Sequence, residues 1–279
     1  SLNPLPFFFS RAFEGLVVGF FWPNLQSSIS DNAASDHGAY VAKYNFSWNA
    51  GSILGYLFGT AVVFFGNQVI NVFYAAPVLI LINLVIAILF FEEAEKSPQD
   101  PSIQGEFERS GLATKKRSDL FRYGIPVLFP VLLSAVYSLA RGSLSFLYPI
   151  QSETLGFETY TVYLLVLCGM VTQLLSTTLS SLISMRFLRK AALPSSAALI
   201  ILFLSYGWTS QFAVFVILFL LTGLVSGILY GLALKLAIAL NVIRKTSKYS
   251  SLLESTIGFT FFLSPVMAGA LAMLDLSLA

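Results

Sequence analysis

A handful of charged side chains sit inside long apolar runs, where a charge is expensive unless it faces a cavity or a partner. Arg11 and Glu14 stand three residues apart in RAFEGLVVGF, close enough on a helix to share one face. Two readings are open for them. One is an intrahelical ion pair that steadies the helix; the other is a cavity arginine that meets an anionic substrate or a coupling carboxylate, with Glu14 as proton carrier. Glu254, in SSLLESTIGF, lies about a turn inside its apolar run. It either exchanges a proton during a working cycle or is solvated and paired with Lys248. Arg141, in YSLARGSLSF, either faces the cavity opposite Arg11 or snorkels towards the outer headgroups. Lys235 reads as a snorkelling side chain at the inner interface. The neutral candidates Tyr137, Gln173, Trp22 and Tyr230 are polar or aromatic within apolar runs, where such residues more often pack or anchor than bind.

Other chemistry is excluded by composition. His37 is the only histidine and Cys168 the only cysteine, so neither a metal site nor a disulfide is expected. His37, Asp31 and Asp36 read as a solvated loop. No GxSxG, P-loop or HExxH is present. The expectation is therefore no enzyme, no catalytic residue, no metal and no cofactor. A net charge of +2 gives no reason to expect a nucleic-acid partner.

The elements that hold these residues follow from solvent. Of 279 residues, 56% are hydrophobic and only 11% charged, with mean hydropathy +0.79, against about 25% charged in a soluble domain. So few charges cannot coat a globule, and the solvent is a bilayer. Apolar runs long enough to cross it fall at about 5–25, 40–65, 68–91, 123–149, 157–185, 190–207, 211–240 and 249–274. None alternates as a membrane strand would. The fold class is thus all-α, a polytopic bundle of about eight transmembrane helices.

Charge sets the expected orientation. With Lys43, the loops after the third, fifth and seventh spans hold thirteen of the sixteen Lys and Arg residues. The alternate loops, near 66–67, 149–156 and 207–210, hold none. The N-terminus is then external and the polar loop 93–122 cytoplasmic. That loop reads as a solvated linker between an N-terminal group of three helices, residues 1–92, and a C-terminal group of five, residues 123–279.

The two groups share a pattern. Gly15, Gly19 and Pro23 recur as Gly223, Gly227 and Gly231 at an offset of 208 residues, and Gly55, Tyr56 and Gly59 match Ser264, Pro265 and Ala268 at 209. Small residues at every fourth position let helices approach closely. The offset places counterparts of the fourth to sixth spans before residue 1 and of the third span after residue 276. The chain reads as eight of twelve helices, six per half.

These motifs carry a resemblance. RAFEGLVVGFFWPNLQSSISD, with Arg11, Gly15, Gly19 and Pro23, is similar to the fourth helix of the major facilitator superfamily. WNAGSILGYLFGTAV, with Gly51, Gly55 and Gly59, resembles the fifth, although Tyr56 replaces the proline usual in drug/proton antiporters. ESTIGFTFFLSPVMAGAL, with Ser264, Pro265 and Gly269, is similar to the eleventh. The resemblance implies a secondary transporter of the plasma (inner) membrane, whose halves rock about a central site. It implies a small-molecule substrate, a proton or other coupling ion, and the lipid bilayer as partners. Arg11, Glu14, Arg141 and Glu254 become the substrate or coupling residues. Gly15, Gly19, Pro23, Gly51, Gly55, Gly59, Gly227 and Pro265 become packing or gating positions.

Overall fold

Within hydrocarbon every backbone N–H and C=O must bond inside the chain, and a helix achieves this locally. The computed structural model obeys that constraint. It describes residues 21–26, 37–66, 70–90, 127–244 and 246–272, and among them there is no strand. After a helical stretch at 21–26 come α1 (His37–Gly66), α2 (Ile70–Phe90), α3 (Leu128–Thr154), α4 (Thr159–Leu182), α5 (Met185–Gly207), α6 (Phe212–Arg244) and α7 (Lys248–Ala272). Six of these, α1 and α3 to α7, are long and apolar enough to cross a membrane. Helix α2 is an apolar helix of 21 residues. The first expected span, 5–25, falls almost wholly outside the described residues, as do Asp31 and Asp36 and the linker 93–122.

By contacts the described residues form two compact units, one within Ser1–Thr60 and Val127–Ala279 and one within Ala61–Pro126. The second holds the end of α1 and all of α2. The first holds everything discussed below.

Two boundaries differ from expectation. Pro149 was expected to open an outer loop, yet α3 runs through it to Thr154. A proline removes one backbone donor, and the helix continues where its other bonds survive; Ser152 Oγ also donates to the Pro149 carbonyl at 2.9 Å. The helix stops instead at Gly156, whose φ of 73° suits the left-handed region. Gly156 N donates to Glu153 O at 3.0 Å and Phe157 N to Ser152 O at 2.9 Å, the paired bonds of a Schellman turn. The second difference is Arg186, Arg189 and Lys190, which occupy the first turns of α5 rather than a loop. Similarly, His37 begins α1.

Burial is inverted relative to a protein in water. Leu193 and Trp208 are 80% and 88% exposed, whereas Asn45, Asn49, Gln173 and Thr177 are fully buried. Many large apolar side chains face outward while these amides face inward, beside a buried apolar core that includes Phe215 and Leu229, as suits a lipid solvent.

Helix α6 is the hub, packing on α3, α4, α5 and α7, and most extensively on α4. Its small residues explain the closeness. A Cβ on Gly223 would run into the Gly169 carbonyl and Thr172 Oγ1, and one on Gly227 into Ser176 Oγ. Thr172 Oγ1 then reaches across to the Leu220 carbonyl at 2.7 Å. On the other flank α3 meets α7: Ser264 Oγ donates to the Leu139 carbonyl at 3.0 Å and lies 2.7 Å from Ser143 Oγ, one residue before Pro265. The glycines of α1 differ. Gly51 and Gly55 are exposed with no described atom within 4 Å of an added Cβ, while Gly59 is buried beside the Tyr163 ring.

Gly223→Ala therefore has to part α4 from α6 against a backbone oxygen. It should destabilise the protein by about 1–3 kcal/mol, whereas Gly51→Ala should stay within about 0.5 kcal/mol. Thermal denaturation of both variants in one detergent checks the contrast.

Candidate functional site

Helical periodicity puts one polar face of each central helix towards the interior. On α3 the face carries Ser134, Tyr137, Ser138 and Arg141; on α4 it carries Gln173, Thr177, Ser180 and Ser181. Asn45 and Asn49 stand one turn apart on α1, and both are fully buried. An amide in hydrocarbon needs partners inside the protein.

Those partners come mostly from neighbouring helices. Asn45 Nδ2 donates to Ser181 Oγ at 2.8 Å, and Asn49 Nδ2 to Thr177 Oγ1 at 3.2 Å. Gln173 Nε2 donates to Asn49 Oδ1 at 3.1 Å and to the Tyr137 hydroxyl at 3.3 Å. Three helices, α1, α3 and α4, are joined through one glutamine. Its Oε1, also buried, has no hydrogen-bond partner among the described residues, and neither does Asn45 Oδ1.

An aromatic ladder lies against this network. The rings of Tyr137 and Tyr230 are 4.9 Å apart, those of Tyr230 and Trp48 5.7 Å, and those of Trp48 and Trp22 6.4 Å. Trp22 also meets Tyr44 edge-on at 6.1 Å. The ladder thus draws in α6 and the helical stretch 21–26. At its far end Gln26 Nε2 donates to Glu254 Oε1 at 2.5 Å and to the Tyr44 hydroxyl at 3.3 Å.

The charged candidates can now be placed. Arg11, Glu14, Gly15 and Gly19 lie outside the described residues, and Pro23 is half-buried in the stretch 21–26. Glu254 is half-buried on α7 and bonded to Gln26, with no ion pair among the described residues; Lys248 is exposed. Arg141 is buried, and its guanidinium donates to Met170 Sδ at 3.3 Å. A buried guanidinium is not snorkelling in this structure: Arg141 stands thirteen residues after Leu128 and thirteen before Thr154, roughly 20 Å along the axis from either end. Lys235 does not snorkel freely either. Its Nζ donates to the carbonyls of Ser181 and Ile183 at 2.8 and 2.7 Å, a cationic cap on the end of α4.

Sequence reasoning singled out Tyr137, Gln173, Trp22 and Tyr230 without joining them, and it missed Asn45, Asn49, Gln26 and Trp48. The available signal was the pair of amides at i, i+4 in an apolar helix, since each is costly in lipid unless satisfied. Among the described residues no group of three His, Cys, Asp or Glu side chains could hold a metal ion. The arrangement offers hydrogen bonds, aromatic faces and two lone charges. That is equipment for binding a polar solute within a membrane.

The family model described as Major Facilitator Superfamily matches residues 1–180. The chain belongs to the major facilitator superfamily. No curated protein and no solved structure matches it. As a member of that superfamily it is an integral membrane transporter, and a small-molecule substrate and a lipid bilayer are its partners. The superfamily consists chiefly of transporters, not enzymes. The match spans Asn45, Asn49, Tyr137, Arg141, Gln173 and Thr177, so most of the amide network falls inside it.

If Gln173 joins the helices energetically, a double-mutant cycle between Asn49→Leu and Gln173→Leu should return a coupling energy of about 0.6–1.7 kcal/mol, the range of hydrogen bonds between membrane helices. Melting temperatures of the four proteins provide it. Strictly additive losses would mean that the two amides act separately.

Proposed function

We propose that this superfamily member moves a small polar solute by alternating access, with binding at the amide and aromatic network and coupling through Glu254. The observation that carries the reading is convergence. Residues from 21–26, α1, α3, α4, α6 and α7 meet at one polar interior surrounded by outward-facing aliphatic side chains.

The chain ranges support two halves, with 1–92 and 123–279 on either side of a cytoplasmic linker at 93–122. Several bonds run between residues of those two ranges: Gln26 to Glu254, Asn45 to Ser181, and Gln173 to Asn49. Side-chain bonds of this kind can break and reform as halves rock, which is what alternating access requires. The bias of Lys and Arg supports placing the linker on the cytoplasmic side.

Glu254 suits coupling because its partner is a neutral amide, which can hydrogen-bond either protonation state after rotating its amide group. A carboxylate locked to a cation would lack that freedom. Protonation of Glu254 would remove the negative charge facing Gln26, Tyr44 and Tyr230.

Reconstitution in proteoliposomes tests both parts. The protein should exchange its solute down a gradient, and an inward proton gradient should drive accumulation. Glu254→Gln should abolish accumulation while leaving counterflow within about threefold, a change worth less than about 1 kcal/mol. Equal loss of both would assign Glu254 to binding, and no flux in the unaltered protein would reject transport.

A further inference from the structure

Arg141 is the one buried cation among the described residues. A guanidinium carries five N–H donors in a planar fork, and here the single acceptor it meets is the Met170 thioether at 3.3 Å. Thioether sulfur is a weak acceptor. The side chain stands at the midpoint of α3 and is buried. Among the described residues no carboxylate pairs with it; Glu254 is bonded to Gln26. A permanent charge held this way is destabilising on its own account, so its place in the interior suits a negative group supplied by a bound solute.

We propose that Arg141 is a binding residue for the carboxylate of a small organic monocarboxylate. This rests on the transport reading and supplies its substrate class. The planar fork matches a carboxylate through two parallel N–H···O bonds. One buried guanidinium balances one negative charge, which favours a monoanion over a phosphate dianion. The other interior cation, Lys235, is committed to two carbonyls at the end of α4.

The surroundings fix the rest of the molecule. Tyr137 lies one turn from Arg141 on the same face of α3, and Gln173 lies one turn from Met170 on α4. The Tyr137 ring, stacked towards Tyr230, forms an apolar floor. The Gln173 Oε1 without a partner is an acceptor for a hydroxyl or N–H on the same solute. A carboxylate at one end and a hydrogen-bond donor a few atoms away would satisfy both Arg141 and Gln173.

The test uses the full chain and matched probes: lactate, its neutral amide lactamide, glycerol and ethanolamine. Binding is read as a shift in melting temperature, and flux as counterflow in proteoliposomes. Lactate should raise the melting temperature and exchange, with the other three at least about tenfold weaker, as expected for loss of a charge-assisted bidentate pair. Arg141→Gln should lose the lactate response without melting lower in its absence, because it removes an unpaired buried charge. Arg141→Lys, which keeps the charge and loses the fork, should fall between them.

Exchange of lactamide or glycerol but not lactate would overturn the carboxylate site and leave the transport reading intact. A lactate shift lost in Arg141→Gln, with no flux of any probe, would support the site while rejecting transport. An Arg141→Gln protein that melts lower yet keeps its lactate response would make Arg141 structural and overturn the proposal. Neither shift nor flux with lactate would overturn it as well.

Discussion

A polar group in hydrocarbon has no water to fall back on, so its partner must come from the protein or from what the protein binds. Everything distinctive here follows from that. Backbone groups are satisfied by helix formation, which accounts for the all-helical chain. The N–H groups of the side-chain amides are satisfied across helices, which ties α1, α3 and α4 together through Gln173. Lys235 meets the same requirement at the end of α4. Arg141, the one buried cation among the described residues, meets it only with the Met170 thioether.

The two kinds of helix contact in the first unit have different physical origins. Between α4 and α6 the absence of side chains on Gly223 and Gly227 brings backbones together, and dispersion over a continuous surface holds them. Between α1 and α4 the link is a set of discrete bonds, Asn45 with Ser181 and Asn49 with Thr177. Bonds of this type specify register, because an amide shifted by one turn loses its partner. They contribute little net energy each.

Much of the fold was legible in the sequence because hydropathy reports the solvent directly. Seven of the eight expected spans correspond to α1 through α7, and the family resemblance read from glycine and proline spacing agrees with the match over residues 1–180. The boundaries were less legible. Pro149 and the acidic tail of α3 look like a loop to any rule based on composition, whereas the true stop is set by backbone geometry at Gly156. The site was legible only in part. Arg141 and Glu254 announce themselves as charges in apolar runs; Asn45, Asn49 and Gln26 act through neighbours more than a hundred residues away, which no local pattern encodes.

The amide bonds between α1 and α4 also say where this protein can be wetted. Water entering that seam can replace each amide–hydroxyl bond with one of nearly equal enthalpy, so the two helices can separate without leaving a polar atom stranded. The α4–α6 contact has less of this exchange open to it: Thr172 Oγ1 bonds the Leu220 carbonyl across it, but its closeness comes chiefly from missing side chains. Hydration thus distinguishes a seam that water can enter from one that close backbones shut, and the sequence writes the difference as asparagine on one helix and glycine on another.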